Sequence, residues 1–348
     1  MQRNKRIFIS DIHISGVTKV LKEKYKYDPT WLSASELKNV AGFFDYLNIS
    51  ADVKEVILLG DIFDNWIYPY DILPPTFDEI IKARRNAVII KSLKFLSQNK
   101  NLKVLYIGGN HDMGITKQHI EEHFPGMIYA GRCFRTGRLL AEHGHYYCMF
   151  TAPDYQNVPK YNLPIGYFIS RAVATKAALT GSGERRYETY MDDLIDIVGP
   201  KTLSQCVFEA VCEEAFIEKD AFFKLRAYSG MEIEFSFDSV KRVYQNLYDQ
   251  WENNNGTVTC IKSLLAETGM LEIIAQVLLK QDDNKVIVMG HSHKPSIIKY
   301  DNGIYANCGA PCEGQLTYIE TEKGHDKYVI RLNQWNEGKE IVLKEEST

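Results

Sequence analysis

The stretch Val56-Ile57-Leu58-Leu59-Gly60-Asp61-Ile62-Phe63-Asp64 decides how this chain is read. A short apolar run reads as a strand, glycine lets the backbone turn sharply, and carboxylates follow at once. The same grammar recurs four times. Ile7-Phe8-Ile9-Ser10 leads into Asp11-Ile12-His13, and Val104–Gly109 into Asn110-His111-Asp112. Leu139–Glu142 leads into His143-Gly144-His145, and Val286–Gly290 into His291-Ser292-His293. Six of the nine histidines fall in these five segments, so the clustering is not a compositional accident.

Outward from these motifs, the chain up to Tyr147 alternates strands (Arg6–Ser10, Glu55–Leu59, Lys103–Ile107, Arg138–Ala141) with helical patterns at Ser35–Leu47 and Asp78–Leu96. Ser33 and Glu36 form a capping box before the first of these helices. This is the layered order of an α/β sheet, in which ligands bind beyond the carboxyl ends of the strands. The texture then changes. Ile165–Leu179, Tyr187–Ile197, Leu203–Phe223, Phe237–Asn253 and Val258–Leu279 read as helices, separated by loop signals such as Gly199-Pro200. Strands return at Lys285–Met289, Ser296–Tyr300, Gln315–Glu320 and Lys327–Leu332. The expected organisation is an α/β domain of residues 1–150 and 284–348, interrupted by a mainly helical insert or lid of residues 151–283.

Composition narrows the function. Of 348 residues, 45% are hydrophobic and 25% charged, which is ordinary globular usage. With 41 basic and 45 acidic residues the net charge is −4, so no overall basic field attracts a polyanion, which counts against a nuclease or nucleic-acid coat. No apolar run approaches the roughly 18–20 residues that span a bilayer. Ile7–Ile9 is too short for the core of a signal peptide. Seven cysteines at irregular spacings give no disulfide or zinc framework, and a reducing, cytoplasmic setting is expected.

Aspartate, asparagine and imidazole together suit borderline divalent metals, Mn²⁺ first and Fe or Zn next, better than Ca²⁺. The motifs hold enough ligands for two ions sharing one carboxylate, the usual clamp for displacement at phosphorus by an activated water.

Asp11-x-His13, Gly60-Asp61-x-x-Asp64, Gly109-Asn110-His111-Asp112, His143 and Gly290-His291-x-His293 resemble, in order, the motif set of the calcineurin-like metallophosphoesterases. The resemblance implies two mixed β-sheets sandwiched by helices. It implies one metal on Asp11, His13, Asp61 and His293, and another on Asp61, Asn110, His143 and His291, with Asp61 bridging. It further implies that His111 contacts the scissile phosphate and helps protonate the leaving group, with Asp112 orienting it. A narrower likeness, in Gly60–Trp66, His143-Gly144, Cys148 and Asp154-Tyr155-Gln156, is to the branch of UDP-2,3-diacylglucosamine hydrolases. That branch usually carries arginine where His111 stands and aspartate where His145 stands.

The expected function is hydrolysis of a phosphate ester or anhydride of a phosphorylated small molecule. The alternatives are a pyrophosphohydrolase for a nucleotide-linked sugar or lipid, a nuclease, and a scaffold that has lost catalysis. The insert is expected to set substrate choice, with peripheral membrane contact open to it, and to perform no chemistry. Trp66, Tyr68, Tyr70, Tyr146 and Tyr147 are candidates for an aromatic wall, Asn307–Ala310 for the far edge of the site, and Arg84-Arg85 or Arg185-Arg186 for phosphate contact.

Overall fold

In a computed structural model of the chain, residues 3–25, 27–154, 162–181, 200–257, 260, 267–281, 283–324 and 327–348 are described. The expected helix Tyr187–Ile197, the Arg185-Arg186 pair, Tyr155, Gln156 and His325 lie outside them. So do parts of Val258–Leu279.

Strands β1 (Lys5–Ile9), β2 (Val53–Leu59), β3 (Lys103–Ile107) and β4 (Ile128–Gly131) run parallel, side by side. The antiparallel strands β12 (Leu316–Lys323), β13 (Tyr328–Asn336) and β14 (Lys339–Ser347) extend this sheet beyond β1, giving seven strands. A second sheet of five has parallel β6 (Leu139–Glu142), β9 (Val286–Met289) and β11 (Gly303–Asn307) at its centre. Antiparallel β5 (Cys133–Thr136) and β10 (Ser296–Tyr300) are its edges.

The continuous apolar runs follow from burial on both faces. Ile57 and Leu59 point into the layer between the sheets with Ala141, Val288 and Ala306. Val56 and Leu58 point the other way, against Val40, Phe44 and Leu93 of the helices Ala34–Ile49 and Ala87–Ser97. On the far side of the second sheet, Leu271, Ala275 and Leu279 of the helix Glu267–Lys280 pack on Leu140, Ile287 and Tyr305. That last helix therefore covers the sheet and does not join the core of the other helices around it. Helix, sheet, sheet, helix is the layered fold the resemblance implied. All five motif-bearing strands present their carboxyl ends at one rim.

The Ser33–Glu36 capping box is present. The expected helix Asp78–Leu96 is two helices, Phe77–Lys82 and Ala87–Ser97, joined by a 3-10 turn. The break is fixed by buried Asn86, whose amide donates to the carbonyls of Ser15 and Ile80 instead of facing solvent.

Residues 148–260 build a separate hydrophobic cluster from the helices Ile165–Thr180, Pro200–Glu214 and Phe237–Asn255, with Trp66 joining it. The helix expected to reach Phe223 stops at Glu214. Phe216 takes a left-handed turn, and Phe222–Arg226 pairs with Glu232–Ser236 as a hairpin. Among the described residues, no helix is long and apolar enough to cross a membrane.

Candidate metal centre

The five strand ends converge. Asp61 reaches His143, with Oδ2 and Nε2 3.2 Å apart, and His143 Nε2 also faces Asn110 Oδ1 at 3.2 Å and Asp11 Oδ1 at 3.9 Å. His13 Nε2 and His293 Nε2 lie 3.3 Å apart, with Asp11 Oδ1 3.5 Å from the latter. Ligand atoms of Asp61, His143 and His291 fall within 4.8 Å of one another, as do those of His13, Asp61 and His111. All seven expected ligands thus meet; Asp61 belongs to both of these groups, and His13, His293 and Cys312 form a third.

The donor set fits cations. His143 Nδ1 lies 2.8 Å from the carbonyl of Leu59, so its proton belongs there and Nε2 offers a lone pair. That lone pair faces carboxylate and amide oxygens, and acceptors crowded around one point call for positive charge. His13 repeats the pattern, with Nδ1 3.0 Å from Asp64 Oδ2 and Nε2 turned to His293. Burial alone would lower the His143 pKa, but the Asp61 and Asp11 carboxylates hold it up to about 9, so without a cation Nε2 carries a proton that a bound ion would displace to free the lone pair. His291, buried beside His143, falls to about 3 and stays neutral, as a ligand must.

Backbone strain collects here too. Asp11, His13, Asp61, His291 and His293 all have positive φ, between 53° and 68°, a region that L-residues other than glycine rarely enter. The preceding glycines are needed for close approach: a Cβ on Gly109 would sit 2.2 Å from Asp61 Oδ1, and one on Gly290 2.4 Å from Ser10 Oγ.

His111 departs from expectation in its partner. Asp112 does not orient it. The Asp112 carboxylate is turned away, accepting from the amides of Ile62 (2.8 Å) and Gly109 (2.6 Å) and from Tyr106 Oη (2.6 Å). It braces the loops that carry Asp61 and Asn110, while burial and the nearby Asp61 charge push it up to about 6. The carboxylate facing His111 is Asp64, whose Oδ2 lies 3.0 Å from Nδ1 as an ion pair, without the alignment of a hydrogen bond. The same oxygen accepts from Trp31 Nε1 at 2.8 Å, and Oδ1 accepts from the Trp66 amide at 2.7 Å. Fully buried Asp64 stays ionised: burial opposes this, but His111 and His13 outweigh it. Burial lowers the His111 pKa as well, and there the Asp64 and Asp61 carboxylates win, raising it.

The sequence reading missed Trp31, which bonds Asp64, and Thr151, whose hydroxyl lies 3.1 Å from His291 Nε2. It also missed Glu313, which lies 3.5 Å from His293 Nδ1; Cys312, weighed in the sequence only as one of a Cys308-x-x-x-Cys312 metal pair, lies 3.9 Å from the same atom. No motif flags residues so far from the strand ends. His145 is buried next to His143 and His291, its ring against Tyr146 at 4.2 Å, and neither nitrogen finds a hydrogen-bond partner among the described residues. Asn307 does not edge the site but holds the Gly290 carbonyl and Gly309 amide behind it. Arg85 bonds the Leu32 carbonyl and faces Asp28.

A cavity of about 310 Å³ opens over Asp61, Asn110, His111, His291 and His293. Its far wall is apolar: Trp31, Ile67 and Phe150 face the Gly166, Ser170, Val173, Ala174 and Ala177 side of the helix Ile165–Thr180.

Residues 5–170 match the profile of the calcineurin-like phosphoesterase family. Over that span the chain is similar to this family, and the match supports reading it as a metal-dependent hydrolase of phosphoesters. No curated protein matches it. Among solved structures, a dimetal phosphatase from Danio rerio is 11% identical with a TM-score of 0.40, covering 98% of this chain and 99% of that one. Vacuolar Protein Sorting 29 from Cryptosporidium parvum is 11% identical at 0.37, over 99% and 97%. An archaeal phosphodiesterase is 11% identical at 0.36, over 97% and 99%. Likeness this distant carries no argument about substrate or partner.

Proposed function

We propose that this centre hydrolyses a phosphate ester or anhydride of a small molecule that also carries an apolar group. Asp11, His13, Asp61 and His293 would hold one divalent ion, Mn²⁺ by preference, and Asp61, Asn110, His143 and His291 a second. Such a pair, when bound, supplies charge neutralisation at phosphorus and an activated water.

The chain's own contribution rests on His111. Its Nδ1 faces the Asp64 carboxylate at ion-pair distance, and the ring lines the cavity shared by both ligand groups. Nε2 is thereby left to give a proton to the departing oxygen, and the raised pKa keeps that proton available near neutrality. The His111–Asp64 pair at 3.0 Å is the observation that carries the assignment. The Ile165–Thr180 helix acts as a wall that selects the rest of the substrate.

The apolar far wall supports a second reading, cleavage of the pyrophosphate in a nucleotide-linked sugar or lipid. Seven cysteines that form no disulfide among the described residues suit a reducing, cytoplasmic setting. With Mn²⁺ added, hydrolysis of alkyl phosphates of increasing chain length, phosphodiesters and nucleotide diphosphate derivatives separates the readings. A preference for long chains or nucleotide diphosphates refines the proposal, and no turnover of any phosphate compound sinks it.

A further inference from the structure

Arg171, in the middle of the Ile165–Thr180 helix, is fully buried, and among the described residues no carboxylate is bonded to its guanidinium. Instead Nε donates to the carbonyl of Tyr68, and Nη2 to those of Pro69 (2.6 Å), Tyr70 (3.3 Å) and Ile72. Nη1 donates to Tyr167 Oη at 2.6 Å. One turn on, Thr175 Oγ1 accepts from the Tyr70 amide at 3.0 Å. A buried charge is costly unless its donors are satisfied, and here the backbone carbonyls satisfy them. What this one does is gather four carbonyls of a single loop, Trp66–Ile72, onto one point.

That loop begins at the catalytic cluster. The Trp66 ring stacks on His111, with centroids 4.3 Å apart and planes 24° from parallel, and the Trp66 amide is bonded to Asp64. Tyr167, the partner of Arg171, meets the Trp66 ring edge-on at 5.6 Å. The helix therefore has two working faces. Gly166, Ser170 and Ala174 face the cavity, while Tyr167, Arg171 and Thr175 grip the loop.

We infer that Arg171 is a positioning residue for proton transfer: it fixes the Trp66–Ile72 loop and, through Trp66, the plane of the His111 ring. This rests on the proton-donor role proposed for His111. The test is a double-mutant cycle of Arg171→Met and His111→Ala with Mn²⁺ present, reading hydrolysis of phenyl phosphate, whose leaving group needs a proton, and of p-nitrophenyl phosphate, whose leaving group does not.

In the wild-type background, R171M is expected to lower kcat on the phenyl ester about ten- to a hundredfold, the scale of a misplaced catalytic group. It should cost less on the nitrophenyl ester and leave metal content unchanged. In the H111A background, R171M should change kcat by less than about twofold, because the group it positions is gone. An equal loss in both backgrounds, or a loss that tracks metal content, overturns the inference. Arg171→Lys and Tyr167→Phe carry the same cycle if R171M does not fold. An H111A loss equal for both esters removes the proton-donor reading instead, and the coupling of Arg171 to His111 then stands or falls on the cycle alone.

Discussion

The floor and the roof of the cavity are built in opposite ways. Each floor residue stands within four positions of the end of its own strand, and the parallel order of those strands brings them to one rim. The roof, the helix Ile165–Thr180, adds none of the expected ligands, yet it and the hairpin Phe222–Ser236 packed against it are sewn to the floor. The Lys224 amide donates to the Tyr70 carbonyl at 2.7 Å, the Phe77 amide to that of Tyr228 at 3.1 Å, and Tyr228 Oη to the carbonyl of His111 at 3.0 Å. Placement of the candidate ligands is thus a local property of the sequence, whereas orientation of His111 is a long-range one. An insert tied in this way is part of the working loop and more than a cover.

Substitutions in the floor and the roof should differ in size and kind. The largest effect is expected for Asp61→Asn, which keeps a residue tolerant of left-handed backbone and removes the one carboxylate common to both ligand groups. Both metals and all turnover should be lost together by elemental analysis and assay. Two retained ions would end the bridging role.

His111→Ala should leave metal content nearly intact and lower the rate by about 10²–10⁴. Loss of metal with activity would make His111 a ligand.

Asp64→Asn should cost about 10–100-fold, in rate and in metal affinity through His13. It also tests sign. His111 acts protonated, so turnover of a poor leaving group is full below its raised pKa and fades as pH rises through it. Without the Asp64 charge, that falling limb should move to lower pH. A pH–rate profile with an unmoved limb would detach Asp64 from the proton transfer.

The smallest effect belongs to the roof's cavity face. Ala174→Trp should raise KM about tenfold for substrates with a long apolar group. It should leave a small aryl phosphate within about twofold. Equal losses on both would mean that the helix does not select substrates.

What the sequence made legible follows the same division. The five motifs and the capping box at Ser33 could be read because each depends on neighbours in the chain, whereas the two-sheet core was implied only by the family resemblance. The orienting partner of His111 could not be read. Asp112 adjoins it in sequence, but successive side chains of the loop point to opposite sides, and Asp112 meets the amides of Ile62 and Gly109 instead. Asp64 takes the role because the chain after Asp61 bends back under the ring. The hairpin was lost because an apolar stretch through Phe223 fits helix and strand periods alike, and the reversal turns on Phe216. Helix Asp78–Leu96 broke on the tertiary contacts of Asn86, which periodicity does not encode.

The left-handed backbone at Asp11, His13, Asp61, His291 and His293 bears on how this protein should be dissected. Each such residue costs about 1–3 kcal/mol that its surroundings must offset. Alanine at any of these positions removes the ligand but keeps the unfavourable backbone, so an alanine scan records two quantities as one. Glycine removes both. A His293→Gly chain should lose metal and still melt higher than metal-free wild type, which would show directly how much foldability has been given up for a centre ready-shaped before any ion arrives.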